Sequence, residues 1–269
     1  MELSKKKRFN GTHTRSVSTV FSPENVKRLL SKDSPFAIRE AYNAFRARLM
    51  FIKCGDDCPV FVLSSVNSGE GKTMTTVNLA ISFAEAGKRT VIIDADMRNP
   101  SVHRYFSLKV NPGVSEYLAG IQQELTIRDT DRENLFVISA GQIPPNPAEL
   151  LISKRAGEML AALKKQFDYI FIDTPPVGMV ADAMMLAAEC TGYIMVVRNG
   201  ATRVADMRAA KQNLEEVGGK IAGIVTNDIS GVTNRRNADY YYRKRYGKRS
   251  GYYRSYGYYY GKDYNEKKG

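Results

Sequence analysis

Cysteine and histidine are scarce in this 269-residue chain, at three and two residues, and long apolar runs are missing. Three thiols (Cys54, Cys58 and Cys190) cannot all pair, which excludes a disulfide framework and points to a reducing, cytoplasmic setting. Cys54 and Cys58 sit in CGDDC, half of a metal-site spacing. His13 and His103 are isolated and supply no second pair, so no metal–thiolate centre is expected. No stretch approaches the ~18–20 apolar residues of a membrane span. Lys5–Arg8 leads into polar residues rather than the apolar core of a signal peptide.

What is present is unevenly placed. The formal net charge is +12, and between Arg235 and Gly269 eleven Lys and Arg face three Asp and Glu, leaving +8 in that tail. The same tail holds eleven of the sixteen tyrosines: Tyr240, Tyr241, Tyr242, Tyr246, Tyr252, Tyr253, Tyr256, Tyr258, Tyr259, Tyr260 and Tyr264. No aliphatic residue lies among them. Rings without aliphatic neighbours cannot bury themselves, so residues 231–269 read as a disordered basic tail. Each phenol there is a reachable nucleophile. The basic charge either attracts nucleic acid, anionic lipid or acidic protein, or is simply solvated.

Residues 1–33 are polar and basic and read as a flexible N-terminal arm. Ser34 and Pro35 have the form of a helix start, with serine as cap and proline at the first position. Apolar residues then recur at Ile38, Tyr42, Phe45, Leu49 and Ile52, one stripe of a helix. The stripe either packs on the core or forms a partner surface. From Pro59 strands and helices alternate. Strands are expected at 60–64, 89–94, 135–139, 169–173, 193–197 and 221–226. Helices are expected at 72–86, from Asn146–Pro147 to about Gln166, near 180–190 and at 203–217. Strands that are continuous apolar runs, with helices between them, predict an α/β domain over 34–230: a mostly parallel sheet covered on both faces.

Strand 60–64 runs into SVNSGEGKT and then a helix, which is the context of a P-loop. Backbone N–H groups of such a loop and the helix N-terminus form an anion cradle, to which Ser68, Gly69, Glu70, Gly71, Lys72, Thr73 and Met74 contribute. Lys72 would reach the β- and γ-phosphates and Thr73 would bind Mg²⁺. The strict spacing asks for glycine at position 66, where this chain has Val66. IIDADMR places Asp94 and Asp96 past the second strand, and YIFIDTPP places Asp173 at the end of the fourth. Ligands of open parallel sheets bind beyond the carboxyl ends of strands, so three carboxylates are expected to converge on the loop. Asp182, alone at the next helix, reads as a helix cap.

SVNSGEGKT, IIDADMRNP, YIFIDTPPVGMVADA and the terminal tyrosine cluster together resemble the bacterial tyrosine kinases. More narrowly, the chain is similar to the separate cytoplasmic kinases of Gram-positive capsule and exopolysaccharide operons. The resemblance runs from about Ser34 into the tail. It implies a P-loop NTPase fold, and accordingly no HRD or DFG kinase motif is present. It implies ATP and Mg²⁺ as cofactors, with Ser65–Thr73 as Walker A, Asp94 and Asp96 as Walker A′, and Asp173 as Walker B. It gives Thr73, Asp96 and Asp173 to the metal and Asp94 to activation of the tyrosine hydroxyl. Lys72, Asp94, Asp96 and Asp173 are then the catalytic set. Arg98 is expected on phosphate and Asn227 on adenine. The helix REAYNAFRARL resembles the family's interprotomer motif through Glu40 and Arg46, with Asn43 and Arg48 as departures. Implied partners are a transmembrane polysaccharide co-polymerase that activates the kinase at the membrane, a cognate phosphotyrosine phosphatase, and copies of the chain itself in a ring.

The function expected is thus an ATP-dependent tyrosine autokinase that phosphorylates its own tail, in trans, and regulates polysaccharide synthesis and export. The first alternative is an ATPase switch of the partitioning type. Asn67 argues against it, because those proteins carry a lysine there. The second is a nucleic-acid-binding module built on the tail.

Overall fold

The computed structural model of the chain describes residues 29–52 and 58–227. Cys54 and all eleven tail tyrosines lie outside those residues. In chain order the elements are α1 (Phe36–Met50), β1 (Val60–Ser65), α2 (Lys72–Glu85), β2 (Thr90–Asp94), α3 (Val102–Tyr105), α4 (Val114–Leu118), β3 (Arg128–Asp129) and β4 (Leu135–Ile138). There follow α5 (Pro147–Leu151), α6 (Lys154–Lys164), β5 (Tyr169–Asp173), a 3-10 turn (Asp182–Leu186), β6 (Gly192–Arg198), α7 (Val204–Glu216) and β7 (Ile221–Asn227).

The strands form one sheet in the order β3-β4-β2-β5-β1-β6-β7. Every neighbouring pair is parallel except β3 with β4. The expected parallel sheet is therefore present, with an antiparallel edge of two residues, too short to leave a pattern in sequence.

Side chains alternate across the sheet, as strand geometry requires. Val60 and Val62 of β1 join Val91, Ile93, Ile170 and Ile172 on one face. Phe61 and Leu63 join Ile92, Phe171 and Ile194 on the other. The first face is covered by α4, α6 and α7, through residues such as Leu118, Leu160 and Leu214. The second is covered by α2, whose Val77, Leu79, Ile81 and Phe83 are buried, and by Leu49 of α1. Each fully buried aliphatic or aromatic side chain contributes about 1.5–3 kcal/mol. Two filled faces hold β1 rigid at the centre of the sheet. The strand order reverses beside β1, with β5 and β2 on one side and β6 and β7 on the other. The crevice at that switch point is where the P-loop begins.

Several local expectations change. α1 starts at Phe36, not after Ser34, and has no side-chain cap. The Ser34 hydroxyl instead accepts the Ser31 N–H (3.0 Å) and donates to the Leu29 carbonyl (3.4 Å). Leu29 and Leu30, inside the stretch assigned to the N-terminal arm, are buried. Leu30 N–H donates to Asn78 Oδ1 at 2.7 Å, and Arg132 donates to the Leu30 carbonyl at 3.1 Å. The helix expected from 147 to 166 is broken at Ile152–Ser153. Ser153 caps α6, accepting the Ala156 N–H at 3.2 Å. In α1 the apolar stripe packs on the core through Leu49, Tyr42 and Phe45, while Ile38 remains 46% exposed. Arg46 is committed within the chain, donating to the Ser82 carbonyl and hydroxyl at 2.5 and 2.9 Å. Glu40 accepts from Asn43 at 3.1 Å. No helix of the described residues is long and apolar enough to cross a membrane.

Candidate active site

The loop between β1 and α2 takes its shape from two glycines and a carboxylate. Gly69 and Gly71 have φ of +78° and +89°, the left-handed region that only glycine enters without strain. Gly71 is also the cap residue of α2, and a Cβ there would run into the Asn227 side chain. Val66 takes no such backbone angle, since Ser107 and Asn134 are the positive-φ non-glycine residues among those described. The glycine missing from position 66 is not needed there. The close approach is made from the other side, where a Cβ on Gly178 would collide with the Val66 carbonyl. The variant motif is thus complete in three dimensions.

Around this loop opens a cleft of ≈ 420 Å³. Ser68, Gly69, Gly71, Lys72, Thr73 and Met74 line it, as do Asp96 and Asn227. Glu70 does not, because its side chain turns back into the loop. Tyr42, Thr75, Asn99, Ser101, Tyr105 and Pro176 also line the cleft, and sequence assigns none of them to the site. Ser101 and Pro176 had a readable signal, the first following directly on IIDADMRNP and the second ending YIFIDTPP. Tyr42 is placed only by the packing of α1 on α2.

The charged centre is compact. Lys72 Nζ donates to Asp173 Oδ2 at 2.9 Å and lies 3.5 Å from Asp96 Oδ2. Asp173 also accepts from the hydroxyls of Thr73 (2.7 Å, to Oδ2) and Thr76 (3.0 Å, to Oδ1). Thr73 Oγ1 lies 3.2 Å from Ser101 Oγ. Burial works to lower the Lys72 pKa, but Asp173 and Asp96 reverse it and hold the ammonium above its ordinary value. Burial raises the Asp96 pKa, with Lys72 opposing and Asp173 adding.

Asp94 does not face the cleft. It is fully buried. Its Oδ1 accepts the Asp96 N–H at 3.2 Å, and its Oδ2 accepts the N–H groups of Ser101 and Val102 at 3.0 Å each. Burial and the Asp173 charge push its pKa up to about 7, against Lys72 and the Val102 and Ser101 amides. The carboxylate to which the resemblance gives activation of the tyrosine hydroxyl thus accepts backbone N–H groups and does not line the cleft. Arg98 does not line the cleft either. It makes a bidentate pair with Asp182 (2.8 and 2.9 Å). Asp182 is buried at the start of the 3-10 turn, and it serves as the guanidinium's partner rather than as a bare helix cap. Asn227 uses both donors of its amide, giving Nδ2–H to the Glu70 carbonyl (2.9 Å) and to Thr75 Oγ1 (3.1 Å).

Comparison with known proteins agrees with this geometry. The family model ParA, described as NUBPL iron-transfer P-loop NTPase, matches residues 59–252. The tyrosine-protein kinase CpsD of Streptococcus pneumoniae serotype 4 is 40% identical over 198 residues, 73% of this chain and 86% of that protein. The putative tyrosine-protein kinase CapB of Staphylococcus aureus is 34% identical over 206 residues, 76% and 89% of the two chains. Among solved structures, the kinase domain of the Escherichia coli tyrosine kinase ETK superposes with a TM-score of 0.68 at 30% identity, covering 76% of this chain and 83% of that one.

Proposed function

The chain belongs to the bacterial tyrosine kinases, a branch of the ParA-type P-loop NTPases, and from that membership we propose that it is an ATP-dependent tyrosine autokinase acting on its own C-terminal tyrosines. The observation that carries the reading is the meeting of Lys72, Thr73, Asp96 and Asp173 at the mouth of the β1–α2 loop.

In this reading the amides of the loop and the N-terminus of α2 receive the β- and γ-phosphates. Lys72 exchanges its Asp173 contact for a phosphate oxygen and neutralises charge developing on the transferring group. Thr73 Oγ1 and Asp173 Oδ2, 2.7 Å apart, are hard oxygen donors of the kind Mg²⁺ takes when phosphates and waters complete its shell. Bound there, the metal would supply further charge neutralisation at the phosphates. Of the two Walker A′ carboxylates, Asp96 lines the cleft and Asp94 does not. Geometry precedes pKa in choosing a base, so Asp96 takes the phenolic proton as the tyrosine oxygen bonds to the γ-phosphorus and ADP leaves. Asp94 is a positioning residue, holding the amides of Asp96, Ser101 and Val102. The side-chain amide of Asn227 has only its Oδ1 left, an acceptor that suits the amino group of adenine.

Family membership supports a membrane-bound co-polymerase as activator, a phosphatase that resets the tail, ring assembly of the unphosphorylated chain, and a role in capsule or exopolysaccharide production. Each phosphate adds roughly −1.5 to −2 charges, so roughly five overturn the +8 of the tail and loosen the assembly.

Incubating the full chain with Mg-ATP and mapping phosphotyrosine by mass spectrometry, beside Lys72→Met, tests the reading. Phosphate on Tyr240–Tyr264 that vanishes in the variant is the expected result. ATP hydrolysis with no phosphotyrosine, even with an activator's cytoplasmic segment added, would overturn it. A Lys72→Met tail that stays unlabelled when mixed with an active tailless chain would exclude transfer in trans.

A further inference from the structure

Glu70 is the single residue between Ser68 and Met74 that does not line the cleft, and it is 4% exposed. Its carboxylate points behind the loop. Oε2 accepts the N–H groups of Val66 (2.9 Å) and Asn67 (3.0 Å). Oε1 accepts the Asn67 side-chain amide (3.1 Å) and the hydroxyl of Thr202. A carboxylate has about four acceptor sites, and four donors meet this one. Stripped of them, a buried charge would be strongly unfavourable. Carboxylate and loop therefore fix each other.

Thr202 lies in the turn between β6 and α7, and its oxygen also accepts the Arg198 N–H at 2.8 Å. In the same turn Asn199 N–H donates to the Asn227 carbonyl at 2.9 Å. Asn227 in turn donates to the Glu70 carbonyl. Three segments distant in sequence thus close on one another: the phosphate loop, the β6–α7 turn and the end of β7.

We propose that Glu70 is a positioning residue for nucleotide binding, which pre-forms the anion cradle from behind and ties its shape to the β6–α7 turn through Thr202. The proposal rests on the nucleotide-binding reading above. A negative charge behind a phosphate cradle opposes the anion, so the Glu70 carboxylate does not serve as a phosphate contact. Its contribution is order already present before the nucleotide arrives. Without an acceptor, the inward N–H groups of Val66 and Asn67 leave the loop to be ordered at the expense of binding. The β6–α7 turn then becomes a handle on affinity that lies outside the cleft.

The test measures Mg-ADP affinity by calorimetry on the full chain, for wild type, Glu70→Ala, Glu70→Gln and Thr202→Val, well below each melting temperature. Glu70→Ala is expected to weaken Mg-ADP by about tenfold, the scale of buried donors left unpaired. Glu70→Gln is expected to recover most of that, because its amide oxygen still accepts the Val66 and Asn67 N–H groups. Thr202→Val falls between them. In autophosphorylation by Glu70→Ala, KM for ATP rises by a larger factor than kcat falls. Wild-type affinity in Glu70→Ala, or a Glu70→Gln no better than Glu70→Ala, would overturn the proposal. Should Glu70→Ala fail to fold, Thr202→Val decides, since it leaves the bonds within the loop in place and unchanged affinity there removes the link. Wild type that binds no Mg-ADP would sink the nucleotide-binding reading itself, a separate outcome.

Discussion

The loops after β1 and β2 meet at Lys72, and each is shaped from behind by a buried carboxylate that accepts backbone N–H groups. Glu70 holds Val66 and Asn67. Asp94 holds Asp96, Ser101 and Val102. What the two loops present to the cleft is opposite in sign. The first offers amides and Lys72, the second offers Asp96. The settings of the hidden carboxylates differ as well. Glu70 is answered by hydrogen-bond donors alone, while Asp94 shares Lys72 with Asp173 and carries a pKa raised to about 7. One device of folding thus yields an anion cradle in one loop and a carboxylate in the other. Transfer of a phosphoryl group to a phenol needs both, a few ångströms apart.

The largest break in this comparison comes at the residue the two loops share. Asp173→Asn removes the charge that Lys72 and Thr73 both engage. It is expected to lower the initial rate of autophosphorylation at saturating Mg-ATP by about 10³-fold, the scale of losing a preorganised electrostatic contact. A loss below tenfold would mean that the centre works without it.

The Asp94 loop is broken next, and pH gives the sign. The folded-state pKa of Asp94 lies above the unfolded value of 3.8, at about 7. The folded chain therefore keeps a proton that the unfolded chain releases, and stability falls as pH rises through that window. Asp94→Asn does not titrate, although its amide accepts fewer of the loop N–H groups. In nucleotide-free protein, the melting-temperature deficit of Asp94→Asn should shrink between pH 5 and pH 8. A deficit constant with pH would remove the proton from Asp94. Asp94→Asn should also keep more activity than Asp96→Asn, and the reverse order would return the phenol to Asp94.

The contrast between the loops also marks what sequence carries. The β1–α2 loop was legible as a motif because glycine at 69 and 71 answers a backbone requirement local to the chain. The strand-end aspartates were legible because carboxylates ending apolar runs have few other uses. The orientation of Glu70 was not legible, since its fourth donor, Thr202, lies 132 residues away. Nor was it legible which of Asp94 and Asp96, two residues apart, lines the cleft, since that depends on where the chain turns at Ser101. Nor does sequence show that the close approach at Val66 is made by Gly178, 112 positions on in the chain, about the span that separates Glu70 from Thr202. The pairing of Arg98 with Asp182 was not legible either, since its buried partner stands 84 residues on.

The smallest expected effect sharpens the boundary between loop and base. Asn227 touches the first loop through the Glu70 carbonyl and also meets Thr75 of α2, and it lines the cleft. If it serves both, Asn227→Ala should raise KM for ATP by roughly three- to tenfold, the scale of one or two hydrogen bonds. It should also narrow the preference for ATP over GTP, because the oxygen that accepts from the adenine amino group is gone. A weaker KM with the preference intact would confine Asn227 to shaping the loop. The end of β7 would then belong wholly with Glu70 and Thr202 behind the cradle, and selection of the base would pass to the cleft wall that Tyr42 forms.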